Sequence, residues 1–414
     1  MLLEFLIAIL IGVLIGTLTG LTPGIHINLV AVILLSFSVF LLNLTTPIIL
    51  AVFIVSMAIT HTFLDFIPSI FLGAPNEDSF LSILPGHQLL LKGNAYYALV
   101  YTLYGGLMAL IIILLFTPVF IYLLPLIYPY FQEKVFGIVI MGPILILVSF
   151  FLIKSEPEKK ILALTIFFLS GFLGIASLNL NIKEPLLPLL TGLFGASSLL
   201  ISIHQNTKIP SQKISPLKEI KLSKNSVIKT FTASIISAPF TAFLPGLGAS
   251  EAAIIGKQSL NIEDNKEFLF LLGAISTIVM GLSFIAYYSI QKTRTGAAVA
   301  ISKLLPEPTL NNLFLIILTI IISGLLAFQL AIYISKFASK NIHKIKYSKL
   351  SFIILITILI IVLIFSDFTI QGKIISLIVF LTSTALGIFT ILSNVRRMHL
   401  MGCLLVPTIL FYLL

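Results

Sequence analysis

The sequence has very little charge, one cysteine and no tryptophan. Only 10% of its 414 residues are Asp, Glu, Lys or Arg, whereas 58% are hydrophobic. Soluble globular proteins contain about 25% charged residues, so this composition leaves little sequence for a soluble domain. The single Cys403 excludes a disulfide framework and a cysteine-based metal site. Without tryptophan, tyrosines must supply any aromatic belt at a membrane interface.

Long uncharged runs take the place of charged segments. The first extends from Phe5 to Leu64, and the others cover 95–132, 161–182, 268–291, 310–335, 350–366 and 374–395. A helix needs about 20 apolar residues to cross the hydrocarbon core of a membrane, and these runs reach or approach that length. The sequence therefore predicts an all-α, polytopic, multi-pass integral protein of the cell membrane.

The lysines and arginines are concentrated in four short loops, at 154–160, 204–229, 336–349 and Arg396-Arg397. The positive-inside rule places all four loops in the cytoplasm, and an even number of predicted spans separates consecutive loops. The formal net charge of +10 therefore reports membrane topology and does not indicate a nucleic-acid partner.

Two apolar segments are interrupted by a Pro-Gly pair. The first reads Gly20-Leu-Thr-Pro-Gly-Ile-His-Ile-Asn28, and the second reads Phe243-Leu-Pro-Gly-Leu-Gly-Ala-Ser-Glu251. Broken segments at matching places in two halves are typical of secondary transporters built from inverted repeats. We expect about ten transmembrane helices plus re-entrant hairpins in two inverted-topology repeats. The predicted segments are a first repeat at 1–132, connecting helices at 133–203, a cytoplasmic loop at 204–229, a second repeat at 230–340 and C-terminal helices at 341–414.

Each Pro-Gly break exposes the N-terminus of the helix that follows, where free N–H groups and the helix dipole favour an anion. Polar side chains stand just inside these helices, and Lys292 with Arg294 carries positive charge in the second half. The alternatives are a kink used for packing and an outer loop of snorkelling cations. The predicted substrate-binding residues are Pro23, Gly24, His26, Asn28, Pro245, Gly246, Gly248, Ser250, Arg294 and Thr295.

His61 and Asp65 are four residues apart inside an apolar segment, so they share one helix face. Ionisable residues inside a membrane are costly and by default indicate function. Because histidine titrates near neutral pH, the pair predicts a proton-coupling site; the alternative is a structural pair that locks two helices. The predicted ion-coupling residues are His61, Asp65, Asn76, Glu77, Asp78 and Glu251, although Glu77 and Asp78 also fit a solvated loop.

In their order along the chain, several short motifs resemble the large membrane subunit of the tripartite tricarboxylate transporter family, in its divergent archaeal form. They are the two Pro-Gly segments, Asp65-Phe-Ile-Pro68, Gly73-Ala-Pro-Asn-Glu-Asp78, Leu84-Pro-Gly-His87, Lys92-Gly93 and Arg294-Thr-Gly296. The resemblance implies an ion-driven carboxylate permease. It also implies two partners, a small membrane subunit and an extracytoplasmic solute-binding protein.

The leading hypothesis is therefore a secondary active transporter of a small organic anion, coupled to H⁺ or Na⁺ and surrounded by membrane lipid. A second hypothesis is a translocase of a lipid-linked phosphate such as polyprenyl phosphate, since helix N-termini and Arg294 suit a phosphate equally well. A third is a membrane-embedded polyprenyl diphosphate phosphatase. No Walker loop, zinc-protease motif or nucleophile elbow occurs. We therefore expect that the protein is not an enzyme and that it has no metal site and no cofactor beyond a coupling ion.

Overall fold

The computed structural model describes residues 2–22, 30, 42–43, 45–72, 81, 83–131, 138–139, 142–154, 158–205, 209–242, 248–293, 295–344, 346–367 and 369–413. These residues form helices and contain no β-strand. Within them, nine helical stretches are long and apolar enough to cross a membrane. The prediction of an all-α polytopic membrane protein is confirmed.

The α-helices follow one another in a simple order. They are α1 (Leu2–Leu21), α2 (Pro47–Leu64), α3 (Phe66–Leu72), α4 (Ile83–Leu91), α5 (Ala95–Tyr122), α6 (Leu124–Phe131), α7 (Gly142–Lys154), α8 (Lys160–Asn179), α9 (Leu186–Leu190), α10 (Ser197–His204), α11 (Lys224–Thr241), α12 (Ala249–Ser259), α13 (Asn265–Ile290), α14 (Gly296–Leu304), α15 (Leu310–Asn341), α16 (Tyr347–Phe365), α17 (Ile370–Leu392) and α18 (Gly402–Leu413). A π-helix (Thr191–Ala196) joins α9 to α10, and a 3₁₀ helix (Arg397–Met401) precedes α18.

The chain divides into two compact units. Unit 1 contains Met1–Pro68, Tyr96–Pro129 and Lys213–Ala338, and unit 2 contains Ser69–Ala95, Tyr130–Gln212 and Ser339–Leu414. Unit 1 thus draws on both predicted repeats. Their inverted relation and the predicted segment boundaries remain predictions.

The central helix of unit 1 is α13. Every residue from Phe268 to Tyr287 is buried on it, and it packs against α2, α11 and α12. Its start is set by Asp264, whose side chain accepts a hydrogen bond from Lys266 N at 2.9 Å. It ends at Gln291, which adopts the left-handed conformation with φ 52°. A helix that is apolar and buried all round is positioned to hold functional groups away from lipid.

Proline explains the break between α2 and α3. Pro68 has no N–H, so it cannot donate to the carbonyl of Leu64 four residues earlier, and its ring crowds that carbonyl. The helix accordingly ends at Leu64, resumes at Phe66, and leaves Asp65 at the break. An ionisable residue therefore stands where the backbone of a membrane span is interrupted.

Unit 2 is assembled around α17. This helix packs against the π-helix and α16, and the apolar core between them includes Ala196, Ile358 and Phe380. The start of α17 is fixed by Asp367, whose Oδ1 accepts hydrogen bonds from the backbone N–H (2.7 Å) and hydroxyl (2.8 Å) of Thr369. Elsewhere in unit 2, α8 packs against α18.

Candidate substrate and ion site

For a membrane span, α2 carries many buried polar side chains. Each has at most 3% of its surface exposed, and they are Ser56, Thr60, His61, Thr62 and, at the helix end, Asp65. A buried polar group costs free energy unless it is hydrogen-bonded, and the cost is larger in a membrane. This concentration identifies α2 as the helix around which a polar site in unit 1 is built.

One face of α2 contacts α1. His61 Nδ1 lies 3.1 Å from Thr19 Oγ1, and Ser56 Oγ donates to the carbonyl of Ile9 at 2.8 Å. At Gly20 the two helices touch so closely that a Cβ would lie 3.4 Å from the backbone nitrogen of Asp65. The C-terminal end of α1, immediately before the first Pro-Gly segment, is therefore beside the predicted coupling pair.

Asp65 is 2% exposed, and its backbone N–H donates to the carbonyl of His61 at 3.0 Å. The helix break leaves the carbonyl of Leu64 without its usual helical donor, because Pro68 has none to give. A carboxylate next to such a carbonyl supplies oxygen atoms, which are the ligands that hard cations prefer and which also accept protons. The arrangement suits a site for a coupling ion.

An adjacent side of α2 contacts α13 through Thr62, whose hydroxyl lies 3.1 Å from that of Thr277. Thr62 is three residues before Asp65, so the two side chains lie on the same side of α2. The hydrogen bond links this side of α2 to the central helix of unit 1. The predicted coupling pair is therefore one helical turn or less from a residue that contacts α13.

Further along α13, the turn that follows the helix folds back onto Ser283. The Ser283 hydroxyl lies 2.7 Å from that of Thr295, and Thr293 Oγ1 donates to the carbonyl of Ser283 at 3.1 Å. Thr295 also caps α14 by accepting from Ala298 N at 3.4 Å. Because α14 packs against α2, α14 belongs to the same group of helices as the predicted coupling pair.

Glu251 lies at the start of α12, after the second Pro-Gly segment. Its side chain is 3% exposed, and its Oε2 accepts a hydrogen bond from Gly248 N at 2.7 Å. A carboxylate at this position is stabilised by the helix dipole. Glu251 itself therefore supplies a negative charge at the N-terminus of α12. Its geometry fits the role of a cap for this helix.

His87 belongs to the Leu84-Pro-Gly-His87 motif and lies on α4 in unit 2, outside the candidate membrane spans. Burial, and then the positive charge of Arg397, lower the pKa of His87 from 6.5 to about 4. At neutral pH this imidazole is therefore uncharged. It does not take up the second proton in the pH range where histidine usually does.

The depressed pKa of His87 predicts how stability changes with pH. Unfolded His87 binds a proton near pH 6.5 and folded His87 near pH 4, so the unfolded state holds more protons in this window. The contribution of neutral His87 to the free energy of unfolding is fully present above pH 6.5. It should fall by roughly 1 to 3 kcal/mol as the pH drops to 4. Thermal unfolding of the purified protein between pH 4 and 8 measures this loss. His87→Gln should reduce the slope, and an unchanged slope would contradict the assignment.

Comparison with known proteins identifies the family to which this arrangement belongs. The Tripartite tricarboxylate transporter TctA family matches residues 6–402. The chain belongs to this family. A protein of Methanocaldococcus jannaschii, itself described as uncharacterized, is 33% identical over 401 residues, which are 95% of this chain and 95% of the relative. No solved structure matches the chain.

Membership of the TctA family makes the chain a permease component of a transporter and a multi-pass integral membrane protein. The resemblance identified from the sequence is confirmed, and the archaeal relative fits its divergent form. The family match includes α1, α2, α13 and α14, which together hold the polar contacts of unit 1.

The predicted site residues of this TctA-family chain fall into two groups. The structure places His61, Asp65 and Thr295 in the contacts around α2 and α13, and it places Glu251 at the start of α12. Gly248 precedes α12, and the backbone of Ser250 lies in its first turn. Pro23, Gly24, His26, Asn28, Asn76, Glu77, Asp78, Pro245, Gly246 and Arg294 lie outside the described residues. The functional roles of both groups remain predictions.

Sequence reasoning did not single out Thr19, Thr62, Thr277 or Ser283. Each is a hydroxyl residue in an apolar helix, and such residues commonly bond to the carbonyl of the preceding turn. Only the partner across the helix interface distinguishes them, as in the pair formed by Thr62 and Thr277. A sequence signal would have been the three polar residues Thr60, His61 and Thr62 in succession within a run otherwise rich in Ile, Val and Ala.

Proposed function

We propose that this TctA-family permease is a secondary active transporter that moves a small organic anion, a carboxylate, by alternating access coupled to H⁺ or Na⁺. The observation that supports this most strongly is the buried pair of His61 and Asp65 at a proline-induced break in a membrane span, packed between α1 and α13. Intramembrane ionisable residues mark ion and proton pathways in transporters.

In this proposal Asp65, with His61, takes up and releases the coupling ion. The substrate carboxylate is held between the two Pro-Gly segments by Asn28 and Ser250, and Arg294 supplies positive charge. The hydrogen bond between Thr62 and Thr277 connects the coupling pair to α13, whose Ser283 contacts Thr295. Binding of the ion and binding of the anion would therefore act on one continuous set of packed helices.

The tripartite family also supports two protein partners. We propose that the chain works with a small membrane subunit and an extracytoplasmic solute-binding protein that delivers the substrate. The chain itself supplies the membrane pathway. No step in the proposed mechanism requires covalent chemistry by this subunit.

Ligand-dependent thermal stabilisation of the detergent-purified protein tests the proposal without the partner subunits. The ligands are di- and tricarboxylates and a short polyprenyl phosphate, each with and without Na⁺ and at two pH values. A ligand at 100 times its dissociation constant should add about 2.7 kcal/mol of stability. We expect a carboxylate to stabilise the protein only with Na⁺ or at the lower pH. Stabilisation by polyprenyl phosphate alone would replace the proposal with a lipid-phosphate translocase.

A further inference from the structure

Unit 2 contains a buried arginine that the proposed transport mechanism does not use. Arg397 is 8% exposed and begins the 3₁₀ helix before α18. The terminal nitrogens of its guanidinium donate to Ser198 Oγ (2.6 Å), Leu193 O (3.2 Å), Ser197 Oγ (3.2 Å) and Phe194 O. The group also lies over the Phe194 ring, 5.5 Å from its centre. Every one of these contacts is to an uncharged group.

The π-helix explains why these oxygens are available. Its hydrogen bonds run from residue i to i+5, so its carbonyls are displaced from regular α-helical pairing, and such segments are frequent at functional sites. Leu193 O also accepts from Ser197 Oγ and Phe194 O from Ser198 Oγ, both at 2.7 Å. The carbonyls of the π-helix and the two serine hydroxyls thus form a binding site for the guanidinium of Arg397.

The positive charge of Arg397 is not neutralised by these contacts. Burying a charge is costly unless an opposite charge compensates it. Among the described residues of unit 2, the buried carboxylate is Asp367 at the start of α17. The guanidinium contacts Leu193 O, which lies beside Gly387, roughly 25 Å further along that helix at 1.5 Å per residue. Asp367 accepts hydrogen bonds from Thr369 and from Lys183 N (3.2 Å).

One nitrogen of the guanidinium makes no hydrogen bond to the described residues. Nε of Arg397 is buried and has no hydrogen-bond partner in the part of the chain that the structure describes. An N–H of a guanidinium makes charge-assisted hydrogen bonds to carboxylate and phosphate groups, and such bonds are about twice as strong as neutral ones. The positive charge also reaches α4, where it contributes to the depressed pKa of His87.

We propose that Arg397 is the cation of a second anion site, in unit 2, which binds a small anion such as a carboxylate or phosphate through Nε. The carbonyls of the π-helix and the two serine hydroxyls hold the terminal nitrogens of the guanidinium, and Nε is the donor left for the anion. The two sources of such an anion are the transported substrate and a free inorganic ion. The site does not depend on the proposed coupling at Asp65.

Thermal unfolding of the full-length detergent-purified protein tests the site, with succinate, phosphate or chloride added at constant ionic strength. In the wild type at least one anion should raise the midpoint in a saturable way. The matched control is Arg396→Gln, because Arg396 is the exposed neighbour of Arg397; it should retain the shift, whereas Arg397→Gln should lose it. A shift with succinate alone indicates a substrate subsite, and one with phosphate or chloride indicates an inorganic ion.

Arg397→Lys provides a second variant if Arg397→Gln does not fold. Lysine keeps the charge but lacks the Nε–H and the planar fork, so the dissociation constant of the anion should rise at least about tenfold. In the wild type, a bound anion should also offset the field of Arg397 and raise the pKa of His87, which NMR of isotope-labelled histidine measures. No saturable shift with any anion, an unchanged shift in Arg397→Gln or Arg397→Lys, or an unmoved His87 signal would overturn the proposal.

Discussion

Asp65→Asn should abolish ion-driven accumulation of the substrate, while the protein still inserts into the membrane and still exchanges substrate across it. Asparagine has nearly the same shape as aspartate, so the helix break at Pro68 and the packing against Gly20 should survive. The amide cannot take up a proton, and it cannot balance the charge of Na⁺. The ion gradient would then have no group through which to act.

The expected effect is large. Moving one elementary charge across 100 mV supplies about 2.3 kcal/mol, which corresponds to an accumulation of about 50-fold. In Asp65→Asn the accumulation ratio should fall to about one. Uptake of radiolabelled carboxylate into proteoliposomes, with and without an imposed Na⁺ or pH gradient, measures this ratio. Counterflow in the absence of a gradient measures the exchange that should remain.

Asp367→Asn is the matched control, because Asp367 is also a buried aspartate, with 6% of its surface exposed. Its carboxylate holds the N-terminus of α17 through Thr369, so its amide variant should lower thermal stability without changing the response to the ion gradient. Ion-driven accumulation that persists in Asp65→Asn would contradict the coupling role and favour a structural pair.

The spans were predictable because each is a long uncharged run. The run at 268–291 corresponds to Asn265–Ile290, and the run at 161–182 corresponds to Lys160–Asn179. Hydrocarbon imposes this pattern directly, since a charged residue at the centre of a helix is costly to insert. The candidate pair of His61 and Asp65 was also accessible from sequence, because two ionisable residues stand out in an apolar segment.

The contacts around that pair could not be predicted from the sequence. Thr62 and Thr277 are 215 residues apart in sequence, and no periodicity in either helix identifies the other as its partner. Hydroxyl residues occur in most spans and usually bond within their own helix. Which hydroxyl reaches across an interface depends on how two helices are rotated against each other, and that is decided by packing over the whole unit.

Arg397 shows a different limit of sequence reasoning. The positive-inside rule assigns Arg396 and Arg397 together to a cytoplasmic loop. The structure exposes Arg396 but buries Arg397 against the π-helix. A π-helix depends on a local shift in hydrogen bonding rather than on a residue pattern. Neither the acceptor groups of the π-helix nor their contact with Arg397 could therefore be recognised from the sequence.

The contact between α5 and α13 should be the least tolerant of added volume in unit 1. A Cβ at Gly273 would lie 2.0 Å from the carbonyl oxygen of Thr102, and one at Gly105 would lie 2.0 Å from that of Phe270. These obstacles are backbone atoms, which cannot rotate away as a side chain does. Helix association in membranes depends on such close contacts between small residues. Gly273→Ala should therefore force the helices apart and cost at least about 1 to 3 kcal/mol.

Gly324→Ala separates this effect from a general intolerance of alanine. The three atoms nearest to a Cβ at Gly324 all belong to the side chain of Leu110, the first at 2.8 Å, and that side chain can change rotamer. The thermal midpoint of Gly273→Ala should lie well below that of Gly324→Ala, and equal midpoints would contradict the argument. Because Thr277 lies one turn beyond Gly273 on α13, the displacement should also weaken its hydrogen bond with Thr62 and reduce carboxylate binding. Stability and binding should therefore fall together in Gly273→Ala, whereas Asp65→Asn should separate ion coupling from both.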